Sequence, residues 1–238
     1  MKNKVERAII MAAGLGNRMR PITDEIPKPL VKVNGTRMID TVIDGLMKNG
    51  INDITIVVGY KKECFEILKE KYPNIDLVEN IYYDKYNNIS SLYSVRDKLD
   101  GACIIVDGDQ IIYKDSILAP EFDLSGYSAA WVEGETDEWL MQEKDGVVTE
   151  CSRTGGARGW QLYSISRWTK DDAKKLKDFV ELEFENGNRQ IYWDDVPMFC
   201  HFDKFKLGIN QIDKEDIVEI DSFQELVEID NSYLKYVL

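Results

Sequence analysis

The chain has 238 residues, 44% of them hydrophobic and 31% charged, with a formal net charge of −13. That balance supplies ample material for a core and excludes a nucleic-acid binder, which needs a basic footprint. No run of eighteen apolar residues exists and no signal-type apolar segment opens the chain, so a cytoplasmic protein without membrane partners is expected.

Val5 to Ala12 reads as a first strand and runs into the glycine loop Ala12-Ala13-Gly14-Leu15-Gly16. Gly14 and Gly16 let backbone approach a phosphate closely and leave loop N–H groups to point at it. Arg18 and Arg20 follow, with guanidinium donors suited to phosphate oxygens. Lys28 stands between Pro27 and Pro29, which predict a stiff, extended segment that aims its amine. The two glycines alone fit a tight strand-to-helix turn equally well. No G-K-[ST] follows, which excludes a Walker A loop, and Met19 stands where a dinucleotide fingerprint needs its third glycine. The whole set of glycines, arginines and lysine points to a nucleoside triphosphate.

Met38 to Lys48 is predicted as an amphipathic helix that stops at Asn49-Gly50, and Asp53 to Gly59 as a buried strand. A helix over Lys61 to Lys71, a strand over Ile75 to Glu79, a helix over Ser90 to Leu99 and a strand over Ala102 to Val106 follow. Apolar strands separated by helices imply a parallel sheet covered on both faces. Beyond about residue 120 the pattern turns antiparallel. Tyr127 to Glu133, Trp139 to Lys144 and Val147 to Ser152 are strand-like, with a hairpin turn at Asp145-Gly146. Thr169 to Glu185 is a helix, Phe205 to Ile212 a strand, and Ser222 with Glu225 forms a capping box for a last helix. No repeat, linker or low-complexity tract interrupts the chain, so one domain is expected, nucleotide half 1–118 and acceptor half 119–238. Cys64, Cys103, Cys151 and Cys200 form no C-x-x-C pair, the pattern of reduced structural thiols.

Asp107-Gly108-Asp109 falls at the carboxyl end of the fourth predicted strand, where ligands of open α/β sheets bind. Magnesium takes hard oxygen ligands and only one or two protein carboxylates, and Asp109 suits it. Glu219 and Asp221, two apart on an extended segment, face one side. Asp221 fits a helix cap as well as a ligand. Trp139, Tyr192, Trp193 and Asp194 put aromatic faces beside carboxylates. They fit either buried anchors or a cage for a quaternary ammonium, each face contributing roughly 0.5 to 2 kcal/mol.

The combination G-x-G-x-R-x-x-P-x-T…P-K-P-L, carried by Gly14, Gly16, Arg18 and Lys28, resembles the sugar-phosphate nucleotidyltransferase superfamily. The Asn87-Asn88-Ile89-Ser90-Ser91 run, the Asp107–Asp109 strand end, the Glu138-Trp139 pair, the Tyr192-Trp193-Asp194 box and Glu219-Ile220-Asp221 follow in order. Together, over about residues 7 to 230, they resemble the bacterial CTP:phosphocholine cytidylyltransferases. The resemblance implies a three-layer, Rossmann-like α/β fold with a mixed, mostly parallel central sheet and a small antiparallel acceptor-binding region. It implies transfer of CMP from CTP to phosphocholine, with Mg²⁺ as cofactor. Lys28, Arg18 and Asp109 would be catalytic, and Ala12, Ala13, Gly14, Leu15, Gly16, Asn88, Ser90 and Asp107 would bind nucleotide. Trp139, Tyr192, Trp193, Asp194 and Glu219 would line the choline pocket, and Asp109, Asp221 and Glu219 would hold the metal. The rivals are an aminophosphonate or phosphoethanolamine acceptor, which needs fewer aromatic faces, a sugar-1-phosphate acceptor, whose enzyme would share Gly14 to Lys28 and lack the cage, and a catalytically silent nucleotide-binding regulator.

Overall fold

A computed structural model describes residues 2–236. Arg7–Ala12 (β1) is the central parallel strand, flanked by Ile54–Val58 (β2) and Cys103–Asp107 (β4), with Asp76–Glu79 (β3) outside β2. β1 alternates its side chains between two cores. Ala8, Ile10 and Ala12 pack with Ile39, Ile43 and Leu46 of the helix Met38–Lys48 (α1). Ile9 and Met11 face Ile89 and Leu92 of the helix Ile89–Ser94 (α3), behind which lies Lys170–Glu185 (α4). Two covered faces explain why these strands read as unbroken apolar runs.

Antiparallel pairing enters with Gly156–Trp168, a thirteen-residue strand that sits against β4 and joins the parallel half to the strands Gly126–Thr136 and Leu140–Lys144. The sequence pattern did not announce this strand, because Arg158, Gln161 and Arg167 break its apolar alternation. The resulting nine-stranded mixed sheet, helices on both faces, is the expected α/β architecture. The Asp145-Gly146 turn has both residues at positive φ, 52° and 77°, as a two-residue hairpin requires. α1 and the capping box of Phe223–Ile229 (α5) have the predicted bounds.

Local departures are instructive. Lys61 to Lys71 is a 3₁₀ stretch, Lys62–Ile67, and one α turn, Leu68–Lys71 (α2); Lys61 itself is left-handed at φ 48° and stands outside the helix. The segment around Lys28 is rigid but not extended. Pro27 is extended at ψ 142°, then Lys28–Leu30 closes a 3₁₀ turn, Leu30 and Val31 donating N–H bonds to the carbonyls of Pro27 and Lys28. A third core cluster joins Met19, Ile22, Val31 and Met38 to Ile220 and Leu226, and so pins the Lys28 turn against the last helix. That contact brings the two ends of the chain to one site. Among the described residues no helix is long and apolar enough to cross a membrane.

Candidate active site

A cavity of about 520 Å³ opens at the carboxyl ends of β1 and β4. Its walls include Ala12, Ala13, Gly14, Gly16 and Arg18 from the loop after β1, Lys28 from the 3₁₀ turn, and Asp107 and Asp109 from the end of β4. The antiparallel half adds Glu138, Trp139, Tyr192 and Asp194, and the segment before α5 adds Glu219 and Asp221. Residues as far apart in sequence as Ala12 and Asp221 are thus gathered where the topology of an open sheet puts a ligand.

Lys28 is nine-tenths buried, and its Nζ lies 2.7 Å from Asp109 Oδ2 and 2.8 Å from Asp221 Oδ1. Burial opposes its charge, but Asp109 and Asp221 outweigh burial and raise the lysine above its ordinary range. Asp221 shows the converse. Burial pushes it up, yet Lys28 and then Arg18, whose Nη2 is 3.1 Å from Oδ2, hold it below the usual carboxylate range. The alternative of Asp221 as a helix cap falls away. Ser222 Oγ accepts the Glu225 N–H at 3.2 Å and Glu225 returns to the Asp221 and Ser222 N–H groups, so the Asp221 side chain is left for Lys28 and Arg18.

Glu219 is positioned by the short ladder between Ile217–Glu219 and Gln110–Ile112, and its Oε1 accepts the Gln110 amide at 2.5 Å. Burial, with Asp109 and Asp221 nearby, pushes its carboxyl up to about 7. Asp107 is raised by burial first and by Asp109, Asp194 and Glu219 next. Asp194 is raised to about 7 by burial, with Asp195 adding repulsion and the Tyr127 hydroxyl easing it. The site therefore gathers carboxyl groups around the buried Lys28 ammonium, with Asp107, Asp194 and Glu219 held toward the neutral form by burial and neighbouring acids.

Three expected wall residues lie elsewhere. Trp193 is 4% exposed and packs on Tyr127 and Trp168, ring centroids 6.2 Å from each, so it lies under the cavity as a core anchor. In a tight turn, neighbours of Tyr192 and Asp194 point away from them. Ser90 is fully buried, accepting from the Asn80 amide and donating to the Asn87 carbonyl; its neighbour Ser91 reaches the wall instead. Leu15 is half-buried outside the wall. Asn88 reaches the cavity and accepts the Trp193 N–H at 2.8 Å. The sequence pattern missed Asn17, Leu162 and Ser164, the last two because their strand was not foreseen.

The expected trio of Asp109, Asp221 and Glu219 does not form a ready three-carboxylate cluster; among the described residues no set of three such ligands is close enough. The Lys28 ammonium stands between Asp109 and Asp221. Two hard oxygen donors, Asp109 and Asp221, still match magnesium, which draws its other ligands from water and substrate phosphates.

The remaining aromatic wall is a corner. Trp139 and Tyr192 meet at 87° with centroids 6.1 Å apart, backed by Phe199 at 5.4 Å from Trp139. Two rings at right angles in a cavity that also holds Asp194 and Glu219 can take a cationic group.

The Nucleotidyl transferase family model matches residues 7–119. The chain is 40% identical to the 2-aminoethylphosphonate cytidylyltransferase of Lancefieldella rimae, over 95% of this chain and 93% of that protein. It is 36% identical to the choline-phosphate cytidylyltransferase of Streptococcus pneumoniae, over 92% and 94%. The solved structure of the CTP:phosphocholine cytidylyltransferase LicC of Streptococcus pneumoniae superposes with a TM-score of 0.86 and 34% identity, over 96% and 99%. The inositol-1-phosphate CTP transferase of T. maritima, at 16% identity and TM-score 0.76, shares the fold. The chain belongs to the nucleotidyltransferase family and is an enzyme of that class.

Proposed function

We propose that the protein transfers CMP from CTP to phosphocholine, releasing pyrophosphate. The observation that carries the acceptor is the right-angled Trp139–Tyr192 corner, which lines one cavity with Asp194 and Glu219. Aromatic faces stabilise a quaternary ammonium, which offers no N–H to a carboxylate. The loop Ala12 to Gly16 with Arg18 takes the triphosphate, Asn88 and Ser91 lie toward the base, and residues 119–238 supply the acceptor's wall. Four free cysteines support a reducing compartment, the cytoplasm, where CTP is available.

No general base is needed. A phosphomonoester with a second pKa near 6 is mostly dianionic at pH 7, and its oxygen attacks the α-phosphorus of CTP directly. A P–O bond forms to the acceptor oxygen while the bond to the bridging oxygen breaks, and the electron pair leaves with pyrophosphate. Lys28 and Arg18 meet the charge that gathers on the phosphate oxygens, and the rigid Lys28 turn needs no reorganisation. Asp109 and Asp221 are the residues that would hold Mg²⁺. That ion, when bound, neutralises phosphate charge and aligns the triphosphate.

A second reading, 2-aminoethylphosphonate as acceptor, is favoured by the withdrawal of Trp193 into the core. Fewer aromatic faces and several carboxylates suit a primary ammonium that donates hydrogen bonds. The deciding experiment follows pyrophosphate release with Mg²⁺, each of the four NTPs, and phosphocholine, 2-aminoethylphosphonate, phosphoethanolamine or glucose-1-phosphate. The expected result is release with CTP and phosphocholine, with a higher kcat/KM than for any other acceptor. Faster turnover of the phosphonate selects the second reading, and turnover of the sugar phosphate alone overturns both.

A further inference from the structure

Arg153, in the turn after Val147–Ser152, does not line the cavity, yet it touches two residues that hold the aromatic corner, Asp195 and Phe199. Its Nε donates to Asp195 Oδ1 at 2.7 Å, and Nη2 reaches the same oxygen at 2.5 Å. Asp195 is 4% exposed, and its other oxygen accepts the backbone N–H of Tyr192 at 2.8 Å. The guanidinium carbon also stands 3.6 Å over the Phe199 ring and 5.9 Å from that of Trp139. Phe199 packs on Trp139, and Trp139 on Tyr192. The contacts close a ring: Arg153, Phe199, Trp139, Tyr192, Asp195 and back to Arg153.

The ring is anchored on its outer side as well. Gly155, two residues on, has φ +71°, and a Cβ there would stand 1.6 Å from the Thr136 carbonyl oxygen. The Arg153 turn is therefore packed backbone to backbone against the segment that leads into Trp139. A guanidinium suits this post because its flat face stacks on an aromatic ring while its edge pairs with a carboxylate, which an ammonium cannot do together. Asp195 would be a buried, unpaired charge without it.

We propose that Arg153 is a positioning residue that sets acceptor specificity, fixing the Trp139–Tyr192 corner through Phe199 and Asp195 without touching substrate. The inference rests on the reading of that corner as the acceptor's ammonium site. It concerns the acceptor alone, since among the described residues no hydrogen bond or ion pair joins Arg153, Phe199, Trp139, Tyr192 or Asp195 to the Gly14–Lys28 loop.

The test compares Arg153→Ala and Arg153→Lys with the unaltered protein across the same four acceptors, measuring KM for acceptor, KM for CTP and kcat separately. Arg153→Ala is expected to raise KM for the preferred acceptor about tenfold or more and to narrow the preference among acceptors. KM for CTP should stay within about twofold, and Arg153→Lys should recover only part of the loss, having charge without the stacked plane. Unchanged acceptor KM overturns the proposal and leaves a solvated ion pair. A parallel loss for acceptor and CTP, with a lowered melting temperature, overturns it in favour of a purely structural role. If the unaltered protein uses only glucose-1-phosphate, the ammonium reading fails, and with it this specificity role. If the unaltered protein prefers the phosphonate, the KM split on that acceptor still decides for or against Arg153.

Discussion

Lys28 and Asp221, 193 positions apart, meet with Nζ 2.8 Å from Oδ1, and the same ammonium reaches Asp109 at 2.7 Å. The first loop, the end of the fourth parallel strand and the last helix's lead-in thus share one cation. Pinning by Met19, Val31, Ile220 and Leu226 keeps the chain's two ends in that register. Lys28→Ala is expected to lower kcat by at least about 100-fold, the scale of losing one preorganised charge at developing phosphate charge. The melting temperature should move little, because the carboxylates of Asp109 and Asp221 are 29% and 37% exposed and water replaces the lost partner. Pyrophosphate release alongside a thermal melt checks both. Near-normal turnover would remove Lys28 from the mechanism.

Trp139 and Trp193 separate a wall residue from a core residue within one aromatic cluster. Trp139→Ala is expected to raise KM for an ammonium-bearing acceptor by about tenfold, in line with roughly 0.5 to 2 kcal/mol for a lost aromatic face. KM for CTP and the melting temperature should hold. Trp193→Ala removes a ring packed on Tyr127 and Trp168 and should destabilise the fold by about 3 to 5 kcal/mol, with no preference between the two substrates. Chemical denaturation of the two variants, run beside steady-state kinetics, tells them apart. A selective acceptor defect in Trp193→Ala would return that ring to the pocket.

Asp194 makes stability depend on pH. Burial, with Asp195 beside it, lifts its carboxyl from 3.8 to about 7 in the folded protein. Below the unfolded value both states are protonated and the full stability is present. Between there and pH 7 the unfolded chain ionises first, so stability falls by about 1.4 kcal/mol for each unit of rising pH. Asp194→Asn does not titrate. Relative to the unaltered protein it is expected to gain stability from pH 5 to pH 7 and then to level off. Glu219, raised by burial, Asp109 and Asp221, titrates in both proteins and cancels in the difference, whereas Asp107, raised in part by Asp194, shifts with the substitution and adds to it. Urea midpoints at four pH values across the range measure it, and a pH-independent difference would rule out the raised carboxyl.

Local signals made much of this legible from sequence. Gly14, Gly16 and the proline-flanked Lys28 lie within fifteen residues, and their chemistry is set by backbone freedom and charge that need no tertiary context. Asp107 and Asp109 followed from the end of an apolar strand. Trp193 did not, since an aromatic in a Tyr-Trp-Asp-Asp turn can face core or cavity and only the packing of Tyr127 and Trp168 decides. The strand Gly156–Trp168 escaped because its polar residues obscure a period of two, and Ser164 went with it. Arg153 carries no signal at all. Its role arises from where Asp195 and Phe199 are folded, forty and more residues later.

Gly14 and Gly16 are expected to fail in different ways when replaced by alanine. Gly16 has φ +63°, and a Cβ there would lie 2.9 Å from Thr23 Cγ2 and 3.1 Å from Lys28 Cβ. Gly16→Ala therefore strains the backbone by about 1 to 2 kcal/mol and displaces Lys28, so melting temperature and kcat should fall together. Gly14 has nothing within 4 Å of such a Cβ, so the free protein accepts Gly14→Ala without loss of stability. The open space belongs to the cavity wall, where the added methyl would meet the nucleotide. KM for CTP should rise severalfold while KM for the acceptor holds. A Gly14→Ala protein with unchanged CTP affinity would show that the triphosphate does not approach that stretch of backbone.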